Sequence, residues 1–116
     1  MKIEKLIEID GLAQNFLKAP RISIIETGLN LTYDFESTTG EYIERNIFFK
    51  NAKDYRHIKE KDVITDMIKV YNSIGIVKNS EWLDEELKLQ DYKHYIIYFD
   101  EYGVYEILAK EFIMPD

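Results

Sequence analysis

Cysteine is absent from this chain of 116 residues, which removes disulfide frameworks, thiolate zinc sites and cysteine nucleophiles by counting alone. That absence suits a reducing compartment. Proline is almost missing, with Pro20 the only one in the interior, and the five glycines (Gly11, Gly28, Gly40, Gly75 and Gly103) stand far apart. No glycine-rich phosphate loop can be assembled from them, so standard nucleotide binding is not expected. No apolar run approaches the roughly 18 residues of a membrane-spanning helix. The opening segment, MKIEKLIEIDG, alternates charged and apolar residues and lacks the apolar stretch and cleavage site of a secretion signal. The expectation is a soluble, cytoplasmic protein with no membrane attachment. Basic residues are also short, 15 against 22 acidic ones for a formal net charge of −7. Such a charge opposes nucleic acid at long range and would instead steer the chain to a basic protein surface.

Reactive residues are equally sparse. His57 and His94 are the only histidines, and each lies beside a tyrosine in an expected strand, where a surface or boundary imidazole is the ordinary reading. A metal site would need two or three ligands facing one point. Of the serines Ser23, Ser37, Ser73 and Ser80, none sits in a glycine-flanked nucleophile elbow, and Ser80 reads as a helix cap. The carboxylate runs at Asp84, Glu85 and Glu86 and at Asp100 and Glu101 fall at a helix start and in a turn. Both are solvated settings that do not separate the two pKa values as acid and base work requires. Calcium-type Asp-x-Asp spacing is missing as well. No catalytic residue, metal or cofactor is expected, and the chain reads as more plausibly not an enzyme.

What is present is a core. A hydrophobic content of 46% suffices for one compact domain over residues 1–116 without staples. Residues 94–109, HYIIYFDEYGVYEILA, place two aromatic and aliphatic runs around a short acidic turn, the pattern of an antiparallel hairpin. Ile97 and Phe99 share one face, Ile96 and Tyr98 the other, and Tyr105 and Ile107 continue the second arm. Two apolar faces put such a hairpin centrally in a sheet or between a sheet and a helix.

Leu29, Leu31, Tyr33 and Phe35 alternate with Asn30, Thr32, Asp34 and Glu36, a half-buried strand. A turn over residues 37–40 leads to a second strand in which Ile43, Ile47 and Phe49 share a face, giving a meander. Residues 51–60 read as a charged edge strand or irregular return. Residues 3–9 fit neither period. Residues 12–18 suggest one or two helical turns before Pro20. Over residues 62–71 a helical face competes with β-branched density, and the latter favours a strand. Asn79 or Ser80 would cap a helix running to about Gln90, with Leu83 and Leu87 facing the core. The expected class is α+β, mostly β: an antiparallel sheet or half-barrel with one main helix near residues 80–90.

The segment Tyr71, Asn72, Val77, Lys78, Asn79, Ser80, Glu81, Trp82, Leu83, followed by His94, Tyr95, Ile97, Phe99, Asp100, Gly103, Tyr105, Glu106 and Ala109, resembles a pattern in small uncharacterised bacterial proteins. The shared elements are an N-S-x-W-L helix start and an H-Y-x-I-x-F-D-x-x-G-x-Y-E hairpin, about a third of the chain. The resemblance implies a bacterial cytoplasmic domain and the hairpin, and brings no activity or catalytic residue with it.

Nine tyrosines offer rigid contact area with polar tips, favoured both in sheets and at interfaces. The functional expectation is a non-enzymatic binding or interaction module, of immunity or antitoxin type, that meets a basic protein with Tyr92, Tyr95, Asp100, Glu101 and Tyr102. Tyr102, at the hairpin tip, should be the most exposed. The alternative is a small-molecule or minor enzymatic site between sheet and helix, using His57 or His94 beside a carboxylate. Homo-oligomer formation through an exposed sheet face is compatible with both.

Overall fold

The computed structural model describes residues 1–9 and 16–114. Alternating side chains in most segments leave one face apolar, and two antiparallel sheets bury those faces against each other. In chain order the strands are β1 (Ile3–Glu8), β2 (Arg21–Ile25), β3 (Gly28–Glu36), β4 (Tyr42–Lys50), β5 (Asp54–Ile58), β6 (Ser73–Val77), β7 (Lys93–Phe99), β8 (Gly103–Ala109) and β9 (Glu111–Ile113). One sheet has the order β1-β6-β7-β8-β5 and the other β2-β3-β4-β9. Both sheets are open rather than closed into a barrel. The chain steps between sheets at residues 51–53 and at Lys110, whose N–H donates to the Lys50 carbonyl at 3.0 Å.

The inner faces meet as the alternation required. Leu29, Leu31, Tyr33 and Phe35 of β3 and Ile47 and Phe49 of β4 join Tyr95, Ile97, Phe99, Tyr105 and Ile107 of the opposite sheet in one core. Tyr33 and Phe99 lie 5.5 Å apart and Phe49 and Tyr95 5.8 Å, contacts worth about 0.5–1.5 kcal/mol each beyond burial. The hairpin β7–β8 has Phe99 opposite Gly103 and Ile96 opposite Glu106, and its two strands lie inside the five-stranded sheet. Strand β5 is the sheet's edge, as its charges anticipated. Residues 3–9, ambiguous in the sequence, form the other edge, with only Ile3 of the strand buried.

Three expectations need correction. Residues 65–70 form a 3₁₀ helix rather than a strand, burying Met67 and Val70 against the outer face of the five-stranded sheet. The expected main helix shrinks to α1 (Glu85–Leu89), capped by Asp84, which accepts from the Leu87 N–H at 2.9 Å. Ser80 does accept from the Leu83 N–H, at 3.2 Å, but residues 81–83 are bends, because the Ser80 hydroxyl is also tied to His94. Leu83 is buried and Leu87 half-buried beside Tyr92 and Leu108. Of the helical turns expected over residues 12–18, residues 12–15 lie outside the described residues, and Phe16 makes an isolated bridge to Phe35. Among the described residues no helix is long and apolar enough to cross a membrane.

Candidate functional site

The outer face of the five-stranded sheet carries His94, Ile96 and Tyr98 from β7 and Val104, Glu106 and Leu108 from β8. Two coverings lie over it: residues 60–71 at the Tyr98 end and residues 79–89 at the His94 end. His94 and Tyr98 are four positions apart on β7, about 13 Å along a strand. Polar chemistry gathers at both ends.

At the hairpin end, Tyr71 and Tyr98 meet edge to face with ring centroids 5.1 Å apart. Asn72, in the left-handed region at φ 52°, turns the chain there; its N–H donates to the Tyr98 carbonyl at 2.7 Å and its side-chain oxygen accepts from the Asp100 N–H at 3.2 Å. The Tyr98 hydroxyl donates to Glu60 at 2.9 Å, and Tyr71 hydrogen-bonds the Asp100 carboxylate. Burial first, then the hydrogen bond to Asp100 and the charges of Asp100, Glu60 and Glu101 push the Tyr71 hydroxyl up to about 12. Burial, the bond to Glu60 and the same negative surroundings take Tyr98 up to about 12 also. Among the described residues, no lysine or arginine forms an ion pair with Glu60, Asp100 or Glu101. Tyr71 remains 43% exposed, and Ile64 and Ile68 of the same covering segment are exposed at 48% and 57%. An exposed aromatic side chain thus adjoins three carboxylates that lack an ion-pair partner among the described residues.

The other residues expected at this surface lie elsewhere. Tyr95 is inside the core, where burial and the charge of Glu111 raise its hydroxyl. Tyr92 is buried with Leu83 and Leu108, and the Lys53 and Lys110 ammonium groups approach its ring at 5.9 and 5.5 Å. Tyr102 is half-buried against the core, and its carbonyl lies 2.7 Å from His57 Nε2. Asp100 and Glu101 do occupy the tip, Glu101 with φ 70°. Tyr71 and Glu60 escaped the sequence reading, since no local pattern places residues 60–71 over the end of the hairpin.

At the opposite end, His94 is not the surface imidazole expected. It is 2% exposed, with Nδ1 2.7 Å from Ser80 Oγ and Nε2 2.7 Å from Glu106 Oε1. Glu106 is wholly buried, and Arg56, directly opposite on β5, donates from Nε to Glu106 Oε2 at 2.7 Å and from Nη2 to Oε1 at 3.3 Å. Burial works against the charged carboxylate, but the hydrogen bonds and charges of His94 and Arg56 outweigh it and hold Glu106 below the usual carboxylate range. Trp82 meets His94 edge to face at 5.1 Å and carries the Arg56 guanidinium 4.2 Å over its ring. Ser80, Trp82, His94 and Arg56 border a cavity of about 520 Å³. A signal for this cluster did exist in the sequence. With Phe99 opposite Gly103, Glu106 falls in an otherwise apolar row with Val104 and Leu108, where a carboxylate demands a partner, and His94 is the polar residue on that face. His57 lies on the edge strand, stacked on Tyr105 at 4.3 Å.

Among the described residues no group of three or more His, Asp or Glu side chains is placed to hold a metal ion. No protein-family model, curated protein or solved structure matches the chain. The class defined by the fold is a two-sheet antiparallel β protein with a polar cluster at each end of one outer sheet face.

Proposed function

We propose that this chain is a binding module that docks a basic protein through the hairpin end of its five-stranded sheet. One observation carries the reading: Tyr71 stands 43% exposed within reach of Glu60, Asp100 and Glu101, carboxylates without an ion-pair partner among the described residues. Interfaces concentrate affinity in a few aromatic and aliphatic anchors, while surrounding charges set encounter rate and partner choice. The expected hairpin-tip residues Asp100 and Glu101 belong to this surface, and Tyr71 takes the anchoring role expected of Tyr92 and Tyr95. An immunity- or antitoxin-type blocker of a basic partner fits that chemistry.

Affinity capture from a lysate tests the reading. The wild type should retain a basic protein, and a Tyr71→Ala, Asp100→Asn, Glu101→Gln variant of unchanged thermal midpoint should lose it. Equal capture by both, or capture of an acidic protein, would refute the assignment of this surface.

The cavity beside His94 supports a second reading, a small-molecule site, because an imidazole buried against a carboxylate borders a space of small-ligand size.

A further inference from the structure

The His94 end of the sheet contains more than a satisfied polar cluster. Ser80, His94 and Glu106 form a linear chain, with 2.7 Å from Oγ to Nδ1 and 2.7 Å from Nε2 to Oε1. With the ring proton on Nε2, facing the carboxylate, Nδ1 is an acceptor and the Ser80 hydroxyl donates to it. That is the donor order of a nucleophile, a general base and an orienting acid. The ring stands the other way round from the familiar serine hydrolases, with the acid on Nε2, and the proton held at Nε2 by the carboxylate leaves Nδ1 as the basic nitrogen. Arg56 and Trp82 fix the two ends: the guanidinium holds Glu106, and the indole edge holds the tilt of His94. Ser80 opens on the cavity, as do Glu81 and Trp82, whose backbone N–H groups donate to no acceptor among the described residues. Amide groups next to a nucleophile are suitable donors for an oxyanion.

We propose that Ser80 is an activated nucleophile, with His94 as its general base, in an acyl-transfer site for small esters. Oγ bonds to the ester carbonyl carbon while its proton passes to His94 Nδ1. Glu106 stabilises the imidazolium, and the carbonyl oxygen takes the negative charge. The intermediate collapses, the carbon–oxygen bond to the alcohol breaks, and the alcohol leaves with the Nδ1 proton. Water then attacks the acyl-serine by the same route and releases the acid. His94 is a catalytic residue in this scheme, and Glu106 and Arg56 are positioning residues. The site lies at the far end of β7 from the protein-docking surface and stands or falls independently of it.

The test uses the whole protein and an alkyl fluorophosphonate, whose phosphorus Ser80 would attack with loss of fluoride. Intact mass and peptide mapping should show one adduct, on Ser80, formed on the order of 100-fold faster than on free serine. Because Ser80 also binds the Leu83 N–H, Ser80→Cys is the second variant. The chain has no other cysteine, so iodoacetamide alkylation reports that position alone, and it should exceed the rate of free cysteine by about tenfold. Glu106→Gln should slow the Ser80 adduct while leaving iodoacetamide-independent readouts such as the near-UV spectrum intact. An unlabelled Ser80 after prolonged exposure, or a Ser80→Cys thiol no faster than free cysteine, would overturn the proposal.

Discussion

Glu106 couples the chemistry of one residue to the stability of the sheet. Its carboxylate is buried in a central strand and held by His94 and Arg56, so Glu106→Gln should destabilise the fold by about 3 kcal/mol, read from urea midpoints at neutral pH. The sign of the pH effect follows from the direction of its shift. A carboxyl held below its ordinary value contributes stability above that value and loses it as pH falls through the depressed one. Asp34 behaves the same way: burial opposes its charge, but the Tyr42 hydrogen bond and the Arg21 and Lys18 charges lower it. The wild type should therefore weaken as pH falls below about 4, and Glu106→Gln should flatten that acid limb. An unchanged limb would show that Glu106 is not ionised in the folded state. At this scale the sequence was legible only in part. Glu106 betrayed itself by interrupting an apolar row, whereas Ser80 looked like an ordinary cap because its second bond, to His94, spans 14 residues.

Among the elements, the contact between β6, β1 and the 3₁₀ helix over Thr65–Val70 depends on Gly75. A Cβ there would lie 2.5 Å from Val70 Cγ1 and 2.6 Å from the Glu4 carbonyl oxygen. Gly75→Ala should cost about 3 kcal/mol through overpacking and expose Tyr71 further as the helix lifts. Gly40→Ala is the control, since its Cβ meets nothing within 4 Å and only the φ of 84° opposes it, at about 1 kcal/mol. Comparable losses at both positions, measured by thermal unfolding, would contradict the packing described for Gly75. Strand β3 and the β7–β8 hairpin were legible because a period of two survives wherever one face is buried. Residues 62–71 were not, because β-branched Ile64 and Ile68 proved exposed while Met67 and Val70 carry the burial. The helix near 80–90 failed for a related reason: side-chain bonds from Ser80 to His94 hold the preceding bends, and Asp84 becomes the cap.

For the whole molecule, a net charge of −7 concentrated partly at Glu60, Asp100 and Glu101 should make association with a basic partner fast and salt-sensitive. Raising the ionic strength from about 0.05 M to about 0.5 M should slow the association rate on the order of tenfold, with little change in dissociation. The long-range organisation behind that surface was the part least readable from local pattern. It depends on residues 60–71 lying across the end of a hairpin 30 residues further along the chain, a placement fixed by the sheet order rather than by any short motif. Hydrogen exchange of the captured complex against the free protein tests the docking surface most directly. Slowed exchange confined to residues 60–71 and 98–103 is the predicted result, and slowing at β2 and β9 with an unaltered hairpin tip would contradict it.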